Sequence, residues 1–177
     1  MTCIVGLTHK GTIYMGGDSA AVSGSKLEVL QVEKVFRKRG LLIGGSGSFR
    51  VMNLIRHSLE LPEYDSRADP ERWLVNVFAS YVRKCLLLAG SVNKDKTDDI
   101  DANVLIGIKG HLFTMEGDLN ITQNREPFAA IGTGADVAMG AMFASKERVP
   151  QVRIRLALKA AERFTTNVRA PFLIRKL

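Results

Sequence analysis

Threonine at position 2 carries the first chemical possibility in this chain of 177 residues. A threonine hydroxyl attacks a carbonyl only when a base takes its proton. An α-amine, with an ordinary pKa of about 7.7–8.0, is such a base near neutral pH. Removal of Met1 would put hydroxyl and amine on one residue, Thr2, so no separate histidine is needed. His9, His57 and His111 show no spacing that pairs them with a nucleophile, and surface or core positions account for them. The glycine turn Gly44–Ser48 supplies the other half of acyl-transfer chemistry, donors for a developing oxyanion, and a second glycine turn lies at Gly132-Thr133-Gly134. Gly44-Gly45-Ser46-Gly47-Ser48 and Gly132-Thr133-Gly134 each precede a helical pattern, where backbone N–H groups lack internal partners and the dipole favours negative charge. Neither turn completes G-x-x-x-x-G-K-[ST] or G-x-G-x-x-G, so a nucleotide site and ATP hydrolysis by this chain are not expected.

Taken singly these residues are commonplace. A threonine after the initiator methionine simply permits its removal, Asp18 after an apolar strand is a turn former, and Lys34 alone is a solvated cation. Composition is that of an ordinary globular protein, 46% hydrophobic and 24% charged. No apolar run is long enough for a membrane span, and the N-terminus has no basic-then-apolar export signal. Cys3 and Cys85 fit buried thiols in a reducing cytoplasm rather than a disulfide or zinc framework. The net charge of +7 is dispersed, with small clusters at Arg37-Lys38-Arg39 and Arg175-Lys176. No aromatic-interleaved basic segment marks a nucleic-acid surface.

The elements that must position Thr2 are legible from pattern. Residues 2–8 and 12–18 are β-rich runs joined by His9-Lys10-Gly11, an N-terminal hairpin. Leu41-Leu42-Ile43 runs into the first glycine turn. A helix with Val51, Leu54, Ile55 and Leu59 on one face follows, capped by Ser48 or Ser46 and closed at Leu61-Pro62. Asp69 and Pro70 open a second helix that buries Leu74, Val77, Phe78, Tyr81, Val82 and Leu86. A polar loop over 93–100 leads to strands at 103–108 and 111–116, hinged at Lys109-Gly110. Phe128–Ile131 is a strand entering the second glycine turn, and a helix follows over 135–145. The last helix starts near Pro150 and buries Ile154, Ala157, Ala160, Ala161 and Phe164; Phe172–Ile174 is a final strand. Hairpins rather than βαβ units predict an α+β protein, a four-layer αββα sandwich of two antiparallel sheets flanked by helix pairs. With no linker or repeat, residues 1–177 are expected to form one domain.

In combination, the N-terminal residues resemble the proteasome β-subunit family, and most of all its bacterial HslV-like peptidases. The resemblance lies in Thr2-Cys3-Ile4-Val5-Gly6, Gly11, Gly16-Gly17-Asp18-Ser19, Gly24, Lys34-Val35 and Gly44–Gly47, then in Ala130-Ile131-Gly132-Thr133-Gly134 with Ala138 and Gly140. It runs over essentially the whole chain, and the length is that of a bacterial subunit without a propeptide. It implies an N-terminal nucleophile hydrolase, a threonine endopeptidase in a homo-oligomeric ring or double ring in the cytoplasm. Such a ring degrades polypeptides, with a separate ATP-dependent unfoldase as a partner. No cofactor is expected, and no residue is assigned to a metal.

Carried over residue by residue, the resemblance makes Thr2 the nucleophile and sets Lys34 beside its hydroxyl, keeping the amine neutral. Asp18 holds Lys34 charged, and the Gly47 N–H faces the oxyanion. Thr133 replaces a serine that bonds the terminal amine. The substrate side-chain pocket falls on Ala21, Val32, Phe36, Gly45 and Phe49, an apolar set that favours an uncharged residue at the cleavage position. One departure lies in the last helix, where relatives carry an aspartate behind that serine; here only Glu162 is near. An amidase acting on a small molecule, or an inactive ring or scaffold subunit, is the competing expectation.

Overall fold

The structure, a computed structural model, describes residues 2–91, 99–146 and 148–177. Met1 and most of the 93–100 loop expectation therefore lie outside the described residues. Strands β1 (Ile4–His9) and β2 (Thr12–Gly17) form the expected hairpin, turning at Lys10 and Gly11, both with positive φ. They continue outward to β10 (Phe128–Ile131) on one side and β11 (Leu173–Lys176) on the other, in the order β10-β1-β2-β11. A second sheet runs β5 (Val35–Lys38), β6 (Leu41–Gly47), β7 (Ala102–Ile108), β8 (His111–Met115), β9 (Ile121–Gln123). Every pairing described in the two sheets is antiparallel. A small separate ribbon pairs β3 (Ala20–Ser23) with β4 (Lys26–Val29).

Period-two alternation decides the layering. Along β1, Ile4 points into an apolar layer between the sheets, while Cys3, Val5 and Leu7 point the other way, toward helices. Leu42 of β6, Leu105 of β7 and Leu112 of β8 face the same central layer, with Ile13 and Met15 of β2 opposite. Their neighbours Leu41, Ile43, Val104, Ile106 and Phe113 face outward onto the helices α1 (Phe49–Asn53), α2 (Pro70–Trp73) and α3 (Ala79–Leu88). On the far side, α4 (Ala135–Ala144) and α5 (Pro150–Phe164) cover the first sheet with Ala138, Met142, Ile154, Ala157 and Leu158. Three apolar layers between four structural ones make the αββα sandwich, as the hairpin pattern predicts. Each buried leucine or isoleucine in these layers is worth about 1.5–3 kcal/mol relative to exposure.

Capping follows the sequence. Asp69 accepts the Arg72 N–H at 2.8 Å with Pro70 at the first helical position, and Ser48 accepts from Val51 at 3.4 Å. Both helices then widen into π-helical segments, Leu54–Ser58 and Leu74–Phe78. The first ends at Ser58 rather than running to Leu61. Tyr81 is exposed, and so is Phe164, while Leu158, not expected in the core, is fully buried. Gly44–Gly47 is not a turn but the end of strand β6. A Cβ on Gly44 would lie 2.6 Å from the Ile4 side chain of the facing sheet. Glycine serves there for close sheet packing instead of chain reversal. The sequence reading had no signal for β3, β4 and β9, which are four residues or fewer, too short for an alternating pattern to stand out.

Candidate active site

Strand register brings the separated residues together. Ile4 of β1 pairs with Gly17 of β2 on one side and with Ile131 of β10 on the other. Thr2, two residues before Ile4, is therefore flanked by Asp18 just past β2 and by Gly132-Thr133 just past β10. Lys34 immediately precedes β5, and its carbonyl accepts the Gly45 N–H from β6 at 3.1 Å. The facing sheet is thus placed over the same point.

The side chains meet accordingly. The Lys34 ammonium donates to the Thr2 hydroxyl at 3.0 Å, to Asp18 Oδ1 at 2.9 Å and to the Ala20 carbonyl at 2.6 Å. Those three acceptors use all the donors a lysine has. Asp18 in turn accepts the Cys3 N–H on Oδ1 at 3.0 Å, and the Ala20 and Arg169 N–H groups on Oδ2 at 2.9 and 3.4 Å. The Lys34 and Asp18 side chains are 4% and 0% exposed. Burial pushes the Lys34 pKa down, and the Asp18 charge and hydrogen bond push it back up. Cys3, the neighbouring thiol, is driven up to about 12 by burial and then by Asp18. It stays protonated and is no competing nucleophile.

Gly47 sits at the mouth of the site with φ 103°, and a Cβ there would fall 2.4 Å from the Asp101 carbonyl oxygen. Only glycine adopts this backbone at that contact. Its N–H points the same way along β6 as that of Gly45, which bonds Lys34, because alternate amides of a strand share a direction. β5 begins only at Val35, so past Lys34 that direction opens toward the space beside Thr2. The Thr133 hydroxyl donates to the carbonyl oxygen of Thr2 at 3.4 Å, joined by the Gly134 N–H at 3.3 Å. Thr133 thus touches Thr2 through the carbonyl, whereas the sequence assigns it to the amine. Glu162 accepts the Ala170 N–H at 2.8 Å and so holds the tail after α5.

Two cavities lie near Thr2, which itself lines the smaller one. One, between Ser46-Gly47 and Gly132-Thr133, is an open cleft of about 800 Å³ that could take an extended chain. The other is small and contains four of the five residues expected around a substrate side chain: Val32, Phe36, Gly45 and Phe49. Ala21 is absent from it, lying on β3 opposite Glu28. The sequence reading missed Glu33, Met52 and Arg56, which also border it. Arg56 pairs with Glu33 at 3.0 Å and lies over the Phe36 ring at 5.7 Å, so the wall is not purely apolar. Helical spacing from Phe49 to Met52 and Arg56 could have exposed those two, since i, i+3 and i+7 share a face. Among the described residues no cluster of three or more His, Cys, Asp or Glu could hold a metal, and no helix is long and apolar enough to cross a membrane.

The sequence profile of the proteasome subunit family matches residues 1–166. The chain belongs to the proteasome subunit family. Its fold is similar to that of Thiobacillus denitrificans BPH, with a TM-score of 0.84 at 20% identity over 99% of this chain and 97% of that one. The complex of that BPH with epoxomicin gives 0.80 at 19% identity over 99% and 98%. The eukaryotic HslV of Trypanosoma brucei gives 0.71 at 17% identity over 99% of both chains. No curated protein matches the chain. At these identities the solved structures establish the shared Ntn-hydrolase fold, and the family supports a proteasome-like hydrolase.

Proposed function

We propose that this family member is a threonine endopeptidase, one peptidase domain over residues 1–177, with Thr2 as nucleophile after removal of Met1. The observation that carries the proposal is the buried chain of contacts from Asp18 to the Lys34 ammonium to the Thr2 hydroxyl, at 2.9 and 3.0 Å. Lys34 uses one donor on the hydroxyl oxygen, which leaves the hydroxyl proton to be taken by the α-amine. The cation nearby favours that amine in its neutral form through like-charge repulsion. Thr2 Oγ1 attacks the peptide carbonyl carbon as its proton moves to the amine, and the Gly47 N–H stabilises the oxyanion. The C–N bond then breaks, the proton passes to the leaving amine, and an ester on Thr2 remains. Water attacks the ester, gives a proton to the α-amine, and the Oγ1 leaving group recovers its proton from that amine.

Family resemblance supports a cytoplasmic homo-oligomeric ring or double ring that acts on polypeptides, with a separate ATP-dependent unfoldase feeding it. The test is intact mass combined with an epoxyketone probe, the reagent class of the epoxomicin bound to Thiobacillus denitrificans BPH. Loss of one methionine and a stoichiometric adduct, absent in Thr2→Ala, is the expected result. Retained Met1 with no adduct would instead favour an inactive ring or scaffold subunit, a reading to which the engagement of Glu162 with the tail lends support. Turnover of small amides by a monomer, without peptide cleavage, would favour the amidase.

A further inference from the structure

The small cavity beside Thr2 is tighter than its lining predicts. Val32, Phe36 and Phe49 surround it, yet its volume is only about 20 Å³, room for about one water molecule. Met52, from α1, takes up the rest. A Cβ placed on Gly45 would lie 2.1 Å from both Sδ and Cε of Met52 and 2.9 Å from its Cγ. The thioether therefore lies directly on the Gly45 backbone, across the floor of the pocket. Phe36, by contrast, is only 5% exposed and belongs to the outer core. The bulk that limits this pocket comes from a half-buried helix side chain resting on a glycine.

We infer that Met52 is the specificity-determining residue of the peptidase proposed above, restricting the side chain on the acyl side of the cleaved bond to the size of glycine, alanine or serine. The inference rests on the assignment of Thr2, since a pocket has meaning only beside the attacking atom. Truncating Met52 to alanine removes Cγ, Sδ and Cε. Leucine extends beyond its Cβ by the same number of heavy atoms, so the space released matches the difference between an alanine and a leucine in the pocket. A hydrophobic pocket discriminates by roughly 10–200-fold per methylene-sized difference.

The test uses two peptidyl epoxyketones that differ only in an alanine or a leucine at the residue next to the warhead, with second-order inactivation rates measured on the assembled wild-type protein and on Met52→Ala. The wild type is expected to react at least about 10-fold faster with the alanine probe. In Met52→Ala that ratio is expected to fall by about 10-fold or more. Equal rates in the wild type, or faster reaction with the leucine probe, would overturn the inference while leaving the Thr2 assignment standing. An unchanged ratio in Met52→Ala would do the same. A wild type that reacts with neither probe overturns the Thr2 assignment itself and this inference with it. The wild-type ratio decides the matter even if Met52→Ala fails to fold.

Discussion

Replacing Asp18 with asparagine should uncover how tightly the buried pair is balanced. Asp18 is 0% exposed and Lys34 4% exposed at their side chains, 2.9 Å apart. The substitution keeps the shape but removes the carboxylate charge bonded to the ammonium. It also turns one carboxylate oxygen into an amide nitrogen, and each oxygen here receives two donors. Breaking a buried pair from one side costs about 3–5 kcal/mol, a large part of the roughly 5–15 kcal/mol by which domains are stable. The loss should also depend on pH in a definite direction. Burial already lowers the Lys34 pKa, and Asp18 supplies the opposing rise, so Asp18→Asn lowers it further.

In the window between the variant's folded pKa and the wild-type one, the variant binds fewer protons folded than unfolded. Its stability therefore climbs with pH by up to about 1.4 kcal/mol per unit while the wild type stays level. The deficit is thus largest below that window and shrinks as pH rises through it. Cys3, pushed up to about 12 by burial and then by Asp18, stays protonated in the folded protein across this window. Chemical denaturation of both proteins at several pH values measures the effect, and adding Lys34→Met to Asp18→Asn should recover much of the loss in a double-mutant cycle. A deficit under about 1 kcal/mol, or one that stays constant or grows with pH, would refute the account of Lys34 as a buried cation held by Asp18.

Other outcomes follow from the same geometry. Gly47→Ala places a methyl 2.4 Å from the Asp101 carbonyl at φ 103°. It should cost about 1–3 kcal/mol of stability and, by misdirecting the proposed oxyanion donor, about 100- to 1000-fold in kcat, read by denaturation and peptide turnover. Leu105→Ala empties a fully buried position between the two sheets and should destabilise by about 2–5 kcal/mol in a thermal or denaturant unfolding experiment. Thr133→Val removes only a 3.4 Å bond to a carbonyl that Gly134 also serves. Its stability loss should stay below about 1.5 kcal/mol; a large fall in kcat beside so small a stability loss would support the amine-binding role that the family resemblance implies.

Much of this protein was legible before any coordinates. Asp69-Pro70 starts a helix because an acceptor side chain and a preset φ act locally, and the β1–β2 hairpin turns at Lys10-Gly11 because glycine tolerates positive φ there. Amphipathic spacing on α5 predicts Ile154, Ala157 and Ala161 in the core, since a 3.6-residue repeat needs only the chain's own neighbours. The spacing of Thr2, Asp18 and Lys34 was likewise readable as a pattern. The pattern carries no distances: it is the pairing of Ile4 with Gly17 and Ile131 that sets Asp18 and Thr133 on either side of Thr2. The glycines of 44–47 show where local reading ends. Their composition reads as a turn, but pairing with β5 and β7 across the chain makes them strand. Phe164 shows the same limit from the other side, apolar and in register with the buried Ala157 and Ala161 yet itself exposed. Sequence determined the elements and the reactive groups, which depend on residues near in the chain. Tertiary packing alone decided which groups meet, how deeply Lys34 is buried, and that Met52 rather than the aromatic residues closes the pocket, because each depends on chain segments brought together only by folding.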